Sequence, residues 1–356
     1  MIKPSVKILV GGADAKARPQ YYVAAGADIV FRGDVDPAAL VEHDWSEPRI
    51  VEDYRLPFTA LSRPAFHKLG DVARYIDSHD GPVPEGVSTP VGFIYFTRGC
   101  PRECDFCESR RTKFEALPLD DAIEMLKHYR DNGIRTLNFS DDNLLLLKRD
   151  YIIALFRTLR EMGFAWEFPN GLEIGRFMRG EELDSELVGH LFQNTRDPTT
   201  GHHVGAYRVF VPVETFDHRA GYKKLKPVET QNRIIGEILK SGIPEINFGV
   251  VLGRSADDHT FQNIKNGYDC IKSMVKTYAG VDARYSVFHL IPISLFRSMK
   301  TNFSADEFPE GWNFYFPIYD GDHFSAMELF DRRVEVIQSI DPSIDVIMKT
   351  GMYAYS

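Results

Sequence analysis

The chain of 356 residues has few cysteines, only four in all. It has no run of about 18 apolar residues, so we expect no membrane-spanning helix. Lys and Arg (42) are outnumbered by Asp and Glu (51), which argues against binding to a nucleic-acid backbone. The N-terminus also lacks the long apolar region and cleavage site of a signal peptide. The sequence therefore predicts a cytoplasmic protein with neither nucleic-acid nor membrane partners.

Strand and helix patterns alternate along most of the chain. Hydrophobic residues make up 44% of it, which is enough for a folded core. Between residues 91 and 340, six short apolar strands are each followed by a segment with helical spacing. Among them, the pattern predicts strands at Thr136–Phe139 and Arg208–Val213 and helices at Ser185–Phe192 and Val228–Lys240. Parallel strands need crossover helices, so this order predicts an α/β fold whose sheet is either open or curled into a partial barrel.

The residues before 91 have a different pattern. Val6–Val10 and Ala24–Phe31 predict two short strands, whereas the stretch 35–90 is rich in proline and weakly periodic, like a linker. The expected organisation is a short α/β segment at 1–50, a linker at 51–90, the main domain at 91–295 and a C-terminal capping segment at 296–356.

Three of the four cysteines share one short segment, at Cys100, Cys104 and Cys107. Such a group in a large chain indicates metal or redox chemistry rather than disulfide bonds. Three thiolates on one loop can hold three irons of a [4Fe–4S] cube and leave the fourth iron open. A catalytic zinc site, which takes three protein ligands, is one alternative, whereas a structural zinc site needs four. Three unrelated core thiols are another, which the flanking charges disfavour.

The spacing Cys-x3-Cys-x2-Cys, with the aromatic Phe106 before its last cysteine, resembles the signature of the radical SAM superfamily. The resemblance implies a partial (β/α)6 barrel and a [4Fe–4S] cluster whose open iron binds S-adenosyl-L-methionine (SAM). It implies reductive cleavage of SAM to a 5′-deoxyadenosyl radical, which takes hydrogen from a small organic substrate. Phe106 is implied to lie near the adenine, and a flavodoxin or ferredoxin to supply the electron.

Further sequence segments resemble those of the branch of this superfamily in which a cobalamin-binding domain precedes the barrel. Gly11-Gly12 and Gly26-Ala-Asp28 resemble the end of that doubly wound α/β domain. About two of its strands are present, and its Asp-x-His-x-x-Gly signature is absent. We therefore predict a truncated remnant and no cobalamin binding by this chain alone. The alternative is a partner chain that completes the domain and restores cobalamin-dependent methyl transfer.

The same resemblance implies which residues bind SAM. Polar residues and glycines at the later strand ends match its motifs, namely Ser140, Asp141, Asp142, Asn143, Asn170, Glu173, Glu214, Gly249 and Gly253. Turns, helix caps, a structural ion pair and ordinary strand-end glycines are the alternatives for these positions. His289 and Ser294 at the end of the last strand are candidates for substrate contact.

Two other features are expected to be structural. His202 and His203 follow a polar insert, so we expect a solvated loop, although paired histidines can also bind metal. Cys270 lies in a helical segment and is expected to be a small core residue.

The predicted function is that of a radical SAM enzyme of specialised metabolism which works without cobalamin. Rearrangement, ring formation, epimerisation, decarboxylation and C–C cleavage are its expected outcomes. Besides the cobalamin-dependent alternative, a non-catalytic subunit that keeps the barrel as a binding module is the remaining hypothesis.

Overall fold

The computed structural model divides into two units, Met1–Ser62 with Phe296–Trp312 and Arg63–Leu295 with Asn313–Ser356. The domain boundaries predicted at residues 50, 90 and 295 stay a prediction. The residues that the structure describes are 6–12, 15, 19–32, 47–51, 58, 63–70, 72, 83–104, 107, 109–214, 227–251, 261–280, 284–290, 325, 327–328, 331–332, 334–335 and 353–355.

The first unit contains a small parallel sheet. Its strands β1 (Leu9–Val10), β2 (Ile29–Phe31) and β3 (Arg49–Val51) are ordered β1–β2–β3, and helix α1 (Pro19–Ala24) lies between the first two in the chain. The expectation of two strands was wrong, because it missed β3. Strand β3 lies in the proline-rich stretch that was interpreted as a linker.

The second unit alternates strands and helices, as the sequence pattern predicts. Its strands are β4 (Val91–Ile94), β5 (Thr97–Arg98), β6 (Glu115–Ala116), β7 (Thr136–Phe139), β8 (Ala165–Phe168), β9 (Met178–Arg179), β10 (Glu182–Leu183), β11 (Thr195–Arg196), β12 (His203–Glu214), β13 (Glu245–Val251), β14 (Arg284–Leu290) and β15 (Tyr353–Tyr355). Its α-helices are α2 (Leu119–Asp131), α3 (Arg149–Glu161), α4 (Ser185–Phe192), α5 (Val228–Lys240) and α6 (Phe261–Tyr278). Short 3-10 helices occupy Phe66–Lys68, Leu144–Leu146 and Ile174–Phe177. Within the described residues, no helix is long and apolar enough to cross a membrane.

One sheet organises this unit. Six parallel strands follow the order β4–β7–β8–β12–β13–β14, which is also their order in the chain, and β15 pairs antiparallel with β14. This succession, with helices between the later strands, is the connectivity of a (β/α) barrel. The first and last parallel strands do not pair, so the described strands form an open, partial barrel. The predicted α/β fold class is confirmed.

The outer face of the sheet is aromatic. The ring centroid of Phe156 on α3 lies 5.7 Å from that of Phe139 on β7 and 5.3 Å from that of Trp166 on β8. Helix α2 packs equally closely over β4. A Cβ atom on Gly92 would lie 2.7 Å from Tyr129 Cε1, so only glycine admits this approach. These contacts hold the helices against the strands and fix the strand ends that carry the site.

The inner face of the same strands carries a buried chain of polar side chains. Asn138 Nδ2 donates to Glu167 Oε1 at 2.7 Å, and Arg208 Nη1 donates to Glu167 Oε2 at 2.8 Å. Arg208 also reaches Glu245 Oε2 at 3.1 Å. The Arg208 and Glu167 side chains are 2% and 0% exposed. Ser140 Oγ donates to Asn138 Oδ1 at 3.1 Å, which connects this polar chain to the carboxyl end of β7.

Candidate active site

The three clustered cysteines lie on the loop that leaves the barrel after β4. Strands β5 and β6 pair antiparallel and close this loop at its base. Inside it, Cys100 N donates to Thr112 Oγ1 at 2.8 Å, and Thr112 N donates back to the Cys100 carbonyl at 3.0 Å. Cys107 N donates to the Cys104 carbonyl at 3.1 Å. The loop is therefore held by its own backbone at all three cysteines.

The cysteine side chains are compatible with a cluster that contains several iron atoms. None of the three forms a disulfide bond within the described residues, and Cys100 is buried while Cys104 and Cys107 are half-buried. In the part of the chain that the structure describes, no three His, Cys, Asp or Glu side chains converge on one point as ligands of a single metal ion. A [4Fe–4S] cube does not require such convergence, because each thiolate binds a different iron.

Asp141 at the end of β7 has an asymmetric carboxylate. Its Oδ1 accepts the backbone N–H groups of Phe96 (3.0 Å) and Thr97 (2.6 Å), and the Thr97 hydroxyl at 2.6 Å. Its Oδ2 is buried without a hydrogen-bond partner among the described residues. Burial raises the pKa of this carboxyl to about 7, against an ordinary value of 3.8. Asp141 therefore presents an unsatisfied acceptor whose charge changes near neutral pH.

Asp142 and Asn143 contact the cysteine loop directly. Asp142 accepts Gly99 N at 2.6 Å and Ser109 Oγ at 2.5 Å, one with each carboxylate oxygen. Asn143 Nδ2 donates to Cys100 Sγ at 3.7 Å and to Glu173 Oε2 at 2.9 Å. The Asn143 Oδ1 atom is buried and has no partner within the described part of the chain. The end of β7 thus positions the loop. Besides Asp141 Oδ2, it carries a second buried oxygen, Asn143 Oδ1, that has no donor among the described residues.

Glu173 and Arg102 form an ion pair that sequence reasoning missed. Arg102 Nη2 donates to Glu173 Oε1 at 2.5 Å, and Arg102 Nε donates to Glu173 Oε2 at 3.0 Å. The hydrogen bonds to Glu173 raise the pKa of Arg102, and the nearby charges of Cys100 and Cys104 raise it further. Arg102 is one of the charged residues that flank the cysteines, but no local sequence pattern indicates a partner 71 residues away.

The remaining polar candidates lie at the same edge of the sheet. Asn170 follows β8, and its Nδ2 donates to the Asp141 carbonyl at 3.4 Å. Ser140 is half-buried and bonds to the inner polar chain. In register, Glu214 at the end of β12 and His289 on β14 are both aligned with Val250 of β13. The structure therefore brings the strand-end candidates from β7 and β8 together with the cysteine loop.

Gly249 of β13 has an aromatic neighbour. A Cβ at this position would lie 2.2 Å from Phe210 Cζ, so the Phe210 ring covers the glycine. A ligand atom in that place would have to displace the ring, and the contact of Gly249 with SAM stays a prediction. Phe106, Gly253 and Ser294 lie outside the described residues.

The expectation of a solvated loop at the histidine pair was wrong. His203 is the first residue of β12, is 3% exposed, and its Nε2 lies 3.2 Å from the Ala206 carbonyl oxygen. Strand β12 begins earlier than the predicted Arg208, because the short strand β11 pairs with it in an antiparallel hairpin. That pairing extends the strand backwards over residues whose polar character suggested a loop.

Residues 94–266 match the family model of the radical SAM superfamily. This chain therefore carries a radical SAM domain, the domain of a class of enzymes. The match confirms the family predicted from the cysteine spacing.

A methyltransferase is among the proteins similar to this chain. Over 156 residues the chain is 27% identical to the cytidylyl-2-hydroxyethylphosphonate methyltransferase of Streptomyces wedmorensis. The match covers 43% of this chain and 26% of that protein. The chain thus spans about a quarter of the length of the curated relative that it matches.

Two solved structures match this chain distantly. TsrM, a radical S-adenosylmethionine methyltransferase from Kitasatospora setae with cobalamin and a [4Fe–4S] cluster bound, is 13% identical with a TM-score of 0.42. The match covers 59% of this chain and 40% of that one. Coproporphyrinogen III oxidase (HemN) from Escherichia coli is 12% identical with a TM-score of 0.40, over 70% of this chain and 52% of that one. The fold assignment rests on the strand order and the family model.

Proposed function

We propose that this chain is a radical SAM enzyme that acts on a small organic substrate. Cys100, Cys104 and Cys107 hold the [4Fe–4S] cluster, and SAM binds beside them at the ends of β7 and β8. The observation that carries the proposal is the set of three cysteines on one loop, which hydrogen bonds tie to the ends of both strands. When bound, the cluster supplies the electron that splits SAM into methionine and a hydrogen-abstracting 5′-deoxyadenosyl radical.

Asp141 and Asn143 are proposed to receive the amino group of SAM. Each has a buried oxygen without a donor among the described residues, and buried acceptors are costly unless they are satisfied. An ammonium group carries three N–H donors and one positive charge, so it suits one carboxylate oxygen and one amide oxygen. The role of these residues is to bind and orient SAM.

Asn143 and Arg102 are proposed to stabilise the cysteine thiolates. The amide N–H of Asn143 points at Cys100 Sγ, and Arg102 places a cation near Cys100 and Cys104. Hydrogen bonds to cluster sulfurs and nearby charge are two of the factors that set cluster reduction potentials. Glu173 orients both side chains at once, because it accepts from each of them.

We further propose that the reaction is a rearrangement, ring formation, epimerisation, decarboxylation or C–C cleavage in specialised metabolism, without cobalamin. The absence of the Asp-x-His-x-x-Gly signature from the sequence supports this choice. We place the enzyme in the cytoplasm, where flavodoxin or ferredoxin reduces it.

Cobalamin-dependent methyl transfer is the second candidate. The similarity to the Streptomyces wedmorensis methyltransferase favours it. In this case a partner chain completes the N-terminal domain and supplies the cobalamin site.

Anaerobic purification, with and without co-expressed genomic neighbours, tests both candidates. Iron, sulfide and cobalt are measured, followed by a dithionite-driven assay for 5′-deoxyadenosine. About four irons per chain, 5′-deoxyadenosine and no cobalt support the first candidate. Cobalt that appears only with a partner, together with S-adenosylhomocysteine as product, supports the second. Zinc in place of iron, without SAM cleavage, contradicts both.

SAM is expected to bind more tightly as pH rises. Burial raises the pKa of Asp141 to about 7, so its carboxyl is mostly protonated at pH 6 and ionises as pH passes 7. An ammonium ligand prefers the ionised form, which predicts a gain in affinity of about five- to tenfold between about pH 6 and 7.5. Equilibrium binding of SAM to the oxidised holoprotein measures this change.

Asp141→Asn is the matched variant for this pH dependence. It keeps the shape of the side chain but cannot ionise, so its affinity is expected to be weaker and independent of pH. The folded state without SAM should also lose stability as pH rises from about 4 to 7, because in that window it binds more protons than the unfolded state. A SAM affinity that is flat across the range in the unmodified protein contradicts the assignment.

A further inference from the structure

A cavity lies at the opposite edge of the sheet from the cysteine loop. Its volume is about 750 Å³, which is within the range of small-molecule sites. It is lined by residues that precede the strands, including Ser88 before β4, Arg135 before β7, Gly163 before β8 and His202 before β12. The cysteines and the Asp141 segment follow strands. The cavity is therefore separate from the proposed active site.

The lining of this amino-edge cavity carries an excess of positive charge. The lining contains four guanidinium groups and only two carboxylates. One of the two carboxylates, Asp197, accepts the backbone N–H groups of Thr199 and Thr200 at 2.8 Å. Among the described residues, none of the four arginines forms an ion pair. The chain as a whole has a net charge of -9, so this concentration is local. The four are Arg130, Arg135, Arg160 and Arg196.

Neutral carbonyl groups position two of these arginines. Arg160 Nη2 donates to the carbonyls of Gly189 (3.0 Å) and His190 (2.9 Å) in the last turn of α4. Arg135 Nη1 donates to the Arg130 carbonyl at 2.6 Å. Carbonyls fix the geometry without cancelling the charge, and burial lowers the pKa of both Arg135 and Arg160. Each guanidinium has five N–H donors, so donors remain for a ligand.

Arg196 is held at the cavity by close packing against glycine. A Cβ on Gly86 would lie 2.0 Å from Arg196 Nη1, so the guanidinium lies directly over the Gly86 backbone. Arg196 Nη1 also donates to the Gly201 carbonyl at 3.3 Å, and Nη2 to the Glu85 carbonyl at 3.4 Å. Interactions with helix ends explain the placement of Arg130, which lies in the last turn of α2, and of Arg135 and Arg160, but they do not explain that of Arg196.

We propose that the amino-edge cavity binds a phosphate-bearing anion. Arginine donates paired, charge-assisted hydrogen bonds to phosphate oxygens, and four guanidiniums around one cavity match the charge of a phosphate or pyrophosphate group. Free phosphate compounds and a phosphate group on a larger metabolite share this chemistry. The site is independent of SAM cleavage, because its residues and those of the cysteine loop lie at opposite strand ends.

Isothermal titration of the full-length, anaerobically purified chain with inorganic pyrophosphate tests the proposal. Saturable binding at one site per chain is expected. Arg130→Gln and Arg196→Gln should each weaken it about tenfold or more, the usual effect of losing a charge-assisted hydrogen bond. Arg157→Gln is the matched control, since Arg157 is exposed on α3 and lies outside the cavity lining. Its affinity should change less than about twofold.

Two results would overturn the proposal. One is the lack of saturable pyrophosphate binding by the unmodified chain, a measurement that does not depend on any variant folding. The other is an equal loss of affinity in Arg157→Gln, which would mean attraction by surface charge in general.

A second titration with inorganic phosphate distinguishes the sources of the anion. Phosphate binding as tight as pyrophosphate binding points to a single phosphate group, and tighter pyrophosphate binding to a diphosphate. Failure of SAM cleavage affects neither titration.

Discussion

Replacing Cys104 with alanine is expected to remove the iron–sulfur cluster and to lower reductive SAM cleavage by at least about a hundredfold. The cysteine loop has only three thiols, so no neighbouring cysteine can take the place of the missing ligand. Iron and sulfide content and the rate of 5′-deoxyadenosine formation, measured under strictly anaerobic conditions, check this result. Cys100→Ala and Cys107→Ala should behave in the same way.

Cys270→Ala is the matched control for the cysteine series. Cys270 is half-buried on α6, and burial raises the pKa of its thiol, which makes it a poor ligand and a poor nucleophile. Its replacement should leave iron content and SAM cleavage unchanged. Retention of iron and activity by Cys104→Ala, or loss of both in Cys270→Ala, would contradict the assignment of the three ligands.

Arg208→Met is expected to lower the free energy of unfolding by about 3–5 kcal/mol. Arg208 donates to Glu167 at 2.8 Å, and both side chains are almost completely buried. Removal of the guanidinium leaves the Glu167 carboxylate in the sheet interior without this cation. Urea unfolding followed by the fluorescence of the buried Trp166 measures the loss.

The double variant Arg208→Met with Glu167→Gln separates a lost ion pair from lost packing. Glutamine keeps the size of Glu167 and removes its charge, so the double variant should recover part of the stability that Arg208→Met loses. Strict additivity of the two single effects, or a loss below about 1 kcal/mol for Arg208→Met, would mean that the buried pair does not couple the strands.

The buried polar chain also joins the barrel interior to the site. Arg208, Glu167, Asn138 and Ser140 are linked by successive hydrogen bonds that end one residue before Asp141. Buried networks of this kind hold their members in one geometry when every group is paired. The strands β7, β8 and β12 thereby fix the position from which Asp141 faces the cysteine loop.

Long periodic segments made much of the barrel predictable from sequence. The helices at Ser185–Phe192 and Val228–Lys240 and the strand at Thr136–Phe139 have the predicted bounds. Strand β3 was missed because it lies in the proline-rich stretch that was interpreted as a linker, and the start of β12 because pairing with β11 overrode the polar character of His203. Local pattern thus failed where a long-range backbone pairing decides the structure.

The candidate site was predictable in its residue types but not in its contacts. The cysteine spacing is a local signal, and the polar residues after β7 and β8 follow from strand-end positions. The Arg102–Glu173 pair and the Asn143–Cys100 contact join segments far apart in the chain, so they depend on how the strands are ordered. The Phe210 ring over Gly249 likewise depends on the register between β12 and β13.

The electron paramagnetic resonance spectrum of the dithionite-reduced protein, recorded with and without SAM, tests the central claim most directly. The account predicts the signal of one reduced [4Fe–4S] cluster per chain, a clear change of that signal when SAM is added, and no signal from Cys104→Ala. A cluster signal that SAM does not alter, or a protein that holds zinc and gives no cluster signal, would contradict it.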